Sequence, residues 1–272
     1  MPQLSISRAW EESRAIFTRD GGLLTAVALA MLVLPETVAG LIRPPVGGTV
    51  SYGARIITIV AGCIGLAGQL AIVRLAIGPS TTVGQAIQHG IRRFLPTFAA
   101  VLMLVLAFAL IAIPLLLLLI WLRVVGMPVE GQQPPPSFAL LSFVMAIAAL
   151  LLSIKFSMIV PVSVAEQPGP LTIVKRSWNV TSGHYWRLLG FMILIVVAAI
   201  IVVLAAQFAG LFAARLLAGS ITPLSVAALV LSLFQAVASA AMTILFALML
   251  ARIYLQLAGR SEVHASVPSS GI

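Results

Sequence analysis

Long apolar runs, separated by short polar segments, dominate the pattern of this chain. A bilayer core about 30 Å thick requires roughly 20 consecutive apolar residues in a helix. Six runs meet this requirement and predict membrane spans, which cover residues 21–42, 54–76, 95–122, 138–160, 188–210 and 224–251. The first run is long enough only if its helix continues past Pro35 and Glu36 to Ile42. We therefore predict an all-α integral membrane protein with six transmembrane helices, in a single domain over residues 1–257.

Composition agrees with this pattern and excludes other classes of protein. Hydrophobic residues make up 61% of the chain and charged residues only 8%, whereas a soluble globular domain is roughly a quarter charged. Such a composition excludes a soluble globular protein and a disordered chain. The single cysteine, Cys63, excludes a secreted disulfide scaffold. The polar segment 258–272 is the exception, and we predict that it is a disordered tail.

The distribution of basic residues predicts the orientation of the spans. Twelve of the 16 lysines and arginines fall on one side of the predicted membrane, and four fall on the other, namely Arg43, Arg55, Arg123 and Arg215. The positive-inside rule then places both termini in the cytoplasm. The net charge of +9 does not indicate a nucleic-acid partner, because the basic residues form no stripe or tail that could follow a phosphate backbone.

Three polar segments, each preceding an odd-numbered span, resemble one another. They cover residues 5–18, 80–94 and 170–186 and combine aromatic, basic and periodically spaced apolar residues. Their alignment places Trp10, Ile87 and Trp178 in register, followed seven residues later by Phe17, Phe94 and Tyr185. Spacings of three and four predict amphipathic helices that lie in the cytoplasmic headgroup layer. The chain would then be a threefold repeat of helix, span and span; alternatively, the basic loops of any polytopic protein produce such similarity.

Basic and aromatic residues in these segments are candidate contacts for lipid headgroups. Each basic residue near an anionic membrane surface contributes about 1 kcal/mol of attraction. The candidates are Arg14, Arg92, Arg93, Lys175, Arg176, Trp178, Trp186 and Arg187. The predicted partners are therefore membrane lipids, mainly anionic ones, with a membrane protein or a second copy of the chain as further possibilities.

Polar residues within the predicted spans form a second candidate set. Burying polar groups at membrane depth is costly, so such residues often have a function. The set consists of Glu36, Gln69, Lys155, Gln207 and Gln235. A proton or cation site is one interpretation. The alternative is that Glu36 pairs with Arg43 at the outer interface, that Lys155 extends to the headgroups, and that the glutamines form hydrogen bonds between helices.

The stretch from Ile173 to Val197 resembles a known family. Its pattern of basic residues, Trp, a polar turn with Gly, further aromatics and a Leu-rich helix is carried by Lys175, Arg176, Trp178, Gly183, Tyr185 and Trp186. It is similar to the membrane domain found beside bacterial glycerophosphodiester phosphodiesterases and in related bacterial inner-membrane proteins. The resemblance implies a location in the bacterial inner membrane and a role connected with lipid or envelope. The phosphodiesterase of that family is a separate soluble barrel, for which this chain has no room.

No motif in the sequence predicts catalysis. The three histidines lie in different segments, and neither a Gly-rich phosphate loop nor a Gly-x-Ser-x-Gly motif occurs. We therefore predict no catalytic residue, metal site or cofactor. The first hypothesis is a non-enzymatic lipid-interacting or scaffolding protein. The alternatives are a transporter or lipid translocator with a polar path among the spans, and a membrane-embedded enzyme acting on lipid.

Overall fold

The computed structural model describes residues 5–43, 51–78, 82–126, 135–166, 168–218 and 222–265, with side chains up to residue 258. In these ranges all regular structure is helical. The helices are α1 (Ile6–Ala28), a π-helical turn (Leu29–Val33), α2 (Leu34–Leu41), α3 (Tyr52–Ile77), α4 (Val83–Trp121), α5 (Pro136–Lys155), α6 (Ile159–Ala165), α7 (Pro170–Thr181), α8 (Tyr185–Ala218) and α9 (Val226–Ala265). Six helical segments are long and apolar enough to cross a membrane, which confirms the predicted number of spans.

The first span is a continuous helix that passes through Pro35. Proline lacks an N–H and its ring crowds the carbonyl four residues earlier, which breaks or bends an ordinary α-helix. Here the turn before the proline widens, and the Leu34 N–H donates to the carbonyl of Leu29, five residues earlier. Because this π-helical turn accommodates the proline, the helix runs from Ile6 to Leu41. The predicted continuation past Pro35 and Glu36 is confirmed.

Helices α1, α3 and α9 form the packed centre of the molecule. In the most apolar stretch of α9, 44% of the residues are buried within the chain, and in that of α4 none are. Leu24 of α1, Leu70 of α3 and Leu248 of α9 belong to one buried cluster. The spans of α4, α5 and α8 instead turn most of their apolar side chains outward, as expected of surfaces that lipid covers.

Two of the three predicted interfacial helices are not separate elements. Segment 5–18 is the beginning of α1, and segment 80–94 is the beginning of α4; each continues into its span without a break. The third is separate, but it ends earlier than predicted. Helix α7 stops at Thr181, and Gly183 adopts a φ of +90° before α8 begins at Tyr185. A glycine is favoured in that left-handed backbone region, so the chain turns there and the predicted helix 170–186 is divided.

Helical structure extends into the segment that was predicted to be a disordered tail. Helix α9 continues to Ala265 instead of ending near residue 251, so the prediction of a tail from residue 258 is wrong for its first eight residues. The remaining residues, 266–272, lie outside the described ranges. The polar composition after Arg260 suggested that the helix ends there, but α9 continues through these polar residues to Ala265.

Pairs of small residues, one helical turn apart, are buried at the same register in all three basic segments. In each pair, the first residue directly precedes the aligned position and the second follows that position by three residues. The pairs are Ala9 and Ser13, Ala86 and Gly90, and Ser177 and Thr181. Each segment packs on the second span of the unit before it: α4 on α3, α7 on α5, and α1 on α9. The contacts therefore close into a ring of three, although the threefold repeat itself remains a prediction.

A close helix crossing lies between α4 and α3. A Cβ atom added at Gly90 would collide with the carbonyl oxygen of Ala67 and lie 3.2 Å from the backbone nitrogen of Ala71. Small residues at a crossing allow two helix backbones to approach closely. Gly90 thus has a packing role, which explains a glycine inside a helix that it otherwise weakens.

Replacing Gly90 by alanine is expected to destabilise the protein, although alanine is the better helix former. The overlap with the α3 backbone forces the two helices apart, at a cost of about 1–3 kcal/mol. Gly84→Ala is the matched control, because a Cβ there meets nothing within 4 Å and stabilises the helix by up to about 1 kcal/mol. Thermal unfolding in detergent measures both. Equal stability of the two variants would contradict the close crossing.

Candidate functional site

The structure gathers most of the basic side chains at one end of the molecule. Contacts between distant parts of the chain define this end: the Ser5 N–H donates to the Gln256 side chain, and Arg252 donates to the Ala76 carbonyl. We call it the basic end. Of the lysine and arginine side chains in the described ranges, eleven lie here: Arg8, Arg14, Arg19, Arg74, Arg92, Arg93, Lys155, Lys175, Arg176, Arg187 and Arg252. The other four are at the opposite end.

Lys155, at the last residue of α5, lies between two aromatic rings. Its Nζ is 4.9 Å from the centroid of the Trp178 ring and 5.3 Å from that of Tyr185. An ammonium within about 6 Å of an aromatic face is attracted by the negative charge of that face. We call Lys155, Trp178 and Tyr185 the lysine cage. Lys155 belongs to the predicted intramembrane polar residues, and Trp178 belongs to the predicted headgroup contacts, so the lysine cage brings the two sets together.

The position of the lysine cage follows from the way in which α5 ends. The last carbonyls of a helix lack partners within the helix, and here the Lys155 carbonyl accepts hydrogen bonds from the hydroxyls of Ser177 (3.2 Å) and Thr181 (3.0 Å) on α7. These two residues are the buried small pair of the third segment. The pair therefore fixes α7 against the end of α5, which brings Trp178 beside Lys155.

A second contact network at the basic end involves Glu166, which follows α6. Its carboxylate accepts a hydrogen bond from the Arg176 Nε at 2.8 Å and from the Tyr254 hydroxyl at 2.6 Å. Glu166 and Tyr254 were not among the sequence candidates. An acidic residue in an otherwise basic connection was the available signal for Glu166. Arg176, predicted as a headgroup contact, is thus engaged in an ion pair within the protein.

Arg92 and Arg93 lie in a third group, around His89 on α4. Arg74, Arg92 and Arg93 are all close enough to His89 to interact with it electrostatically. The Arg92 side chain is exposed. Lys175, Trp186 and Arg187, the remaining candidates from the third segment, are also exposed at this end. The basic end therefore presents several positive charges to its surroundings.

The five predicted intramembrane polar residues are not brought together. Glu36 is exposed at the end opposite the basic end, and its carboxylate lies 3.8 Å from the Arg43 guanidinium. Gln207 is exposed, and Gln69 and Gln235 are partly buried. Within the described ranges, none of these residues forms a hydrogen bond to another. The geometry at Glu36 matches the alternative of an interface carboxylate paired with Arg43.

Metal ligands do not converge among the residues that the structure describes. No group of three or more His, Cys, Asp or Glu side chains there is placed to hold a metal ion. The side chain of His264 lies outside these residues.

These features define an all-helical protein with six candidate membrane spans and a strongly basic end. The chain belongs to the family described as Domain of unknown function (DUF7847), whose match covers residues 4–257. No curated protein matches the chain. No solved structure matches it either.

A double-mutant cycle between Lys155 and Trp178 tests the lysine cage. We expect Lys155→Met and Trp178→Leu to be coupled by about 0.5–2 kcal/mol, because each removes the same cation–π contact. Thermal unfolding of the four variants measures the coupling. Trp10 is the matched control, since it occupies the aligned position on α1 and should show no coupling to Lys155. Additive effects of Lys155→Met and Trp178→Leu would contradict the contact.

Proposed function

We propose that this chain is a non-enzymatic integral protein of the bacterial inner membrane that binds anionic lipid headgroups through its basic end. The observation that supports this most directly is the gathering of eleven basic side chains at one end. The resemblance to the membrane domain beside glycerophosphodiester phosphodiesterases favours the same location and a lipid-related role. Scaffolding of a membrane-protein partner, or of a second copy, is a compatible extension of this proposal.

Exposed tryptophans beside the basic residues support a position of this end in the headgroup layer. Trp10, Trp178 and Trp186 are 49%, 44% and 80% exposed. Tryptophan is enriched at membrane interfaces, because its ring is apolar and its N–H is polar. The proposed arrangement places these rings among the lipid glycerol groups and the neighbouring cations near phosphates.

A transporter or lipid translocator is the second candidate, and the described contacts favour it less. A polar path would require the intramembrane polar residues to lie along a common route. Glu36 is instead paired with Arg43 at the end opposite the basic end, Lys155 is held in the lysine cage, and Gln207 is exposed. The threefold repeat is part of the proposal for the fold, supported by the buried small pairs at equal register.

Removing the exposed charge of Arg92 and the partly buried charge of Arg93 should reduce the preference of the basic end for anionic lipid. The double variant Arg92→Gln/Arg93→Gln is expected to lose about 2 kcal/mol of preference, roughly 30-fold, at about 1 kcal/mol per basic residue. Tryptophan quenching by brominated phosphatidylglycerol, compared with brominated phosphatidylcholine, measures it in nanodiscs. All proteins carry Trp121→Phe, because Trp121 lies at the opposite end and would add unrelated signal.

Arg55→Gln/Arg123→Gln is the matched control, since it removes the same charge from the end opposite the basic end. We expect it to leave the quenching ratio unchanged for the remaining tryptophans. A loss of the same size in both double variants would show a general charge effect and would count against headgroup binding at the basic end.

Cysteine labelling tests the proposed orientation. In a Cys63→Ala background, a cysteine at exposed Tyr52 should react with a membrane-impermeant maleimide on intact bacterial spheroplasts. A cysteine at exposed Ser7 should react only after the membrane is permeabilised, because the positive-inside rule keeps the basic end in the cytoplasm. Labelling of the Ser7 site in intact spheroplasts would invert the orientation.

A further inference from the structure

An open apolar groove runs between the first span and α9. Its volume is about 490 Å³, and it extends from Arg14, at the basic end, to Val33 in the π-helical turn. On α9 it is lined by residues spaced along one helix face, from Val237 to Leu248. The groove is thus a continuous, mainly apolar depression in the surface, with the Arg14 guanidinium at one end.

Small side chains and the π-helical turn create this space. Ala28 of α1 and Ala240 and Ala241 of α9 all line the groove. The π-helical turn, Leu29–Val33, lies at its inner half, and both of its terminal residues line it. Such turns occur frequently at functional sites, because they displace side chains from the regular helical positions. Two independent features of the sequence, the alanines and Pro35, therefore shape one groove.

The charged end of the groove is suited to a phosphate. Arg8 and Arg19 are each paired with a neighbouring carboxylate, Glu12 and Asp20. Arg14 lies between them on α1, lines the groove, and has no carboxylate within 4 Å among the described residues. Its guanidinium can therefore donate two parallel hydrogen bonds to a phosphate.

The groove is longer than one leaflet of the hydrocarbon core, so its apolar part has room for a lipid chain. Arg14 and Val33 are 19 residues apart in nearly continuous helix, which at 1.5 Å per residue corresponds to about 28 Å. One leaflet of the hydrocarbon core is roughly 15 Å thick, half of about 30 Å. With the headgroup phosphate at Arg14, an acyl chain extends within the apolar part of the groove.

The aromatic pair of the third segment, residues 170–186, contacts a cation. Trp10 and Phe17, which line the groove beside Arg14, are aligned with Trp178 and Tyr185. In the third unit that pair holds the Nζ of Lys155. In the first unit the corresponding rings border the groove instead. Trp178 and Tyr185 lie on either side of the turn at Gly183, whereas Trp10 and Phe17 lie on one continuous helix, so the two aromatic pairs are arranged differently.

We propose that the groove between the first span and α9 binds one acyl chain of an anionic phospholipid whose phosphate is held by Arg14. This inference rests on the proposed function and deepens it, since it assigns one lipid to one site. Trp10 and Phe17 flank the glycerol region, and the alanines of α9 accommodate the chain.

Photo-crosslinking with phosphatidylglycerol that carries a diazirine near the end of one acyl chain tests the site. The full chain is reconstituted in phosphatidylcholine nanodiscs with a small fraction of the probe, and labelled peptides are identified by mass spectrometry. We expect labelling to concentrate on α9 between Val237 and Leu248 and on the facing part of the first span. Excess unlabelled phosphatidylglycerol should suppress it at least fivefold.

Two variants fill the groove from different depths. Ala241→Leu and Val237→Phe place added carbons in the open space, and each should lower the groove labelling at least fivefold. Ala205→Leu is the matched control, because Ala205 is an exposed alanine on α8 and should label as the unchanged protein does. Thermal unfolding of every variant shows whether it is folded, so that loss of labelling is attributed to the groove.

Arg14→Gln separates headgroup recognition from chain binding. We expect it to lower labelling by the phosphatidylglycerol probe severalfold while leaving labelling by the corresponding phosphatidylcholine probe unchanged. Equal labelling of the groove by both probes in the unchanged protein would overturn the assignment of an anionic lipid. Labelling that the groove-filling variants do not reduce would overturn the site itself.

The outcome for the groove is distinguishable from that for the basic end. If the groove-filling variants label normally but Arg92→Gln/Arg93→Gln still loses its preference for phosphatidylglycerol, the groove assignment fails and the proposed function stands. If neither measurement shows a preference for phosphatidylglycerol, both fail.

Discussion

Close helix approach at small residues is the constraint on which the rest of this structure depends. Within a membrane, apolar side chains gain little by leaving lipid for one another, so helix association relies on close packing and on polar contacts. The buried pairs Ala86/Gly90 and Ser177/Thr181 supply such contacts at the basic end. Segments of α4 and α7 pack on the preceding span and α1 packs on α9, so three crossings order the basic end. The apolar parts of α4, α5 and α8 remain turned outward.

The polar part of this packing explains where the cations lie. The Ser177 and Thr181 hydroxyls satisfy a carbonyl at the end of α5, and a cation is favourable near the negative C-terminal end of a helix. Lys155 fulfils this role and is further stabilised by two rings. The contacts of the Lys155 side chain therefore stabilise the fold. In the proposed function, recognition of lipid belongs to basic residues that are exposed, such as Arg14 and Arg92.

Hydropathy alone predicted the six spans, because helix length against bilayer thickness is a strong constraint. It also predicted the continuation of the first helix beyond Pro35. The interfacial helices were harder, since amphipathic periodicity does not show whether a helix bends at the membrane surface: α1 and α4 run on without a break, and only Gly183 introduces one. The buried small pairs were visible in the sequence, but the alignment emphasised the aromatic positions beside them.

The candidate site was predictable only in part, because partners distant in sequence decide what each charge does. Arg14 was identified as a headgroup contact from its segment alone, and nothing in that segment indicated the groove, which depends on alanines more than 200 residues away on α9. Arg176 matched the same pattern, yet Glu166 engages it. The three aligned segments thus use similar residues differently: the second packs closely at Gly90, the third closes its aromatic pair with Lys155, and the first leaves space beside Arg14. This difference at the first segment is what gives the proposed lipid site its space between the first span and α9.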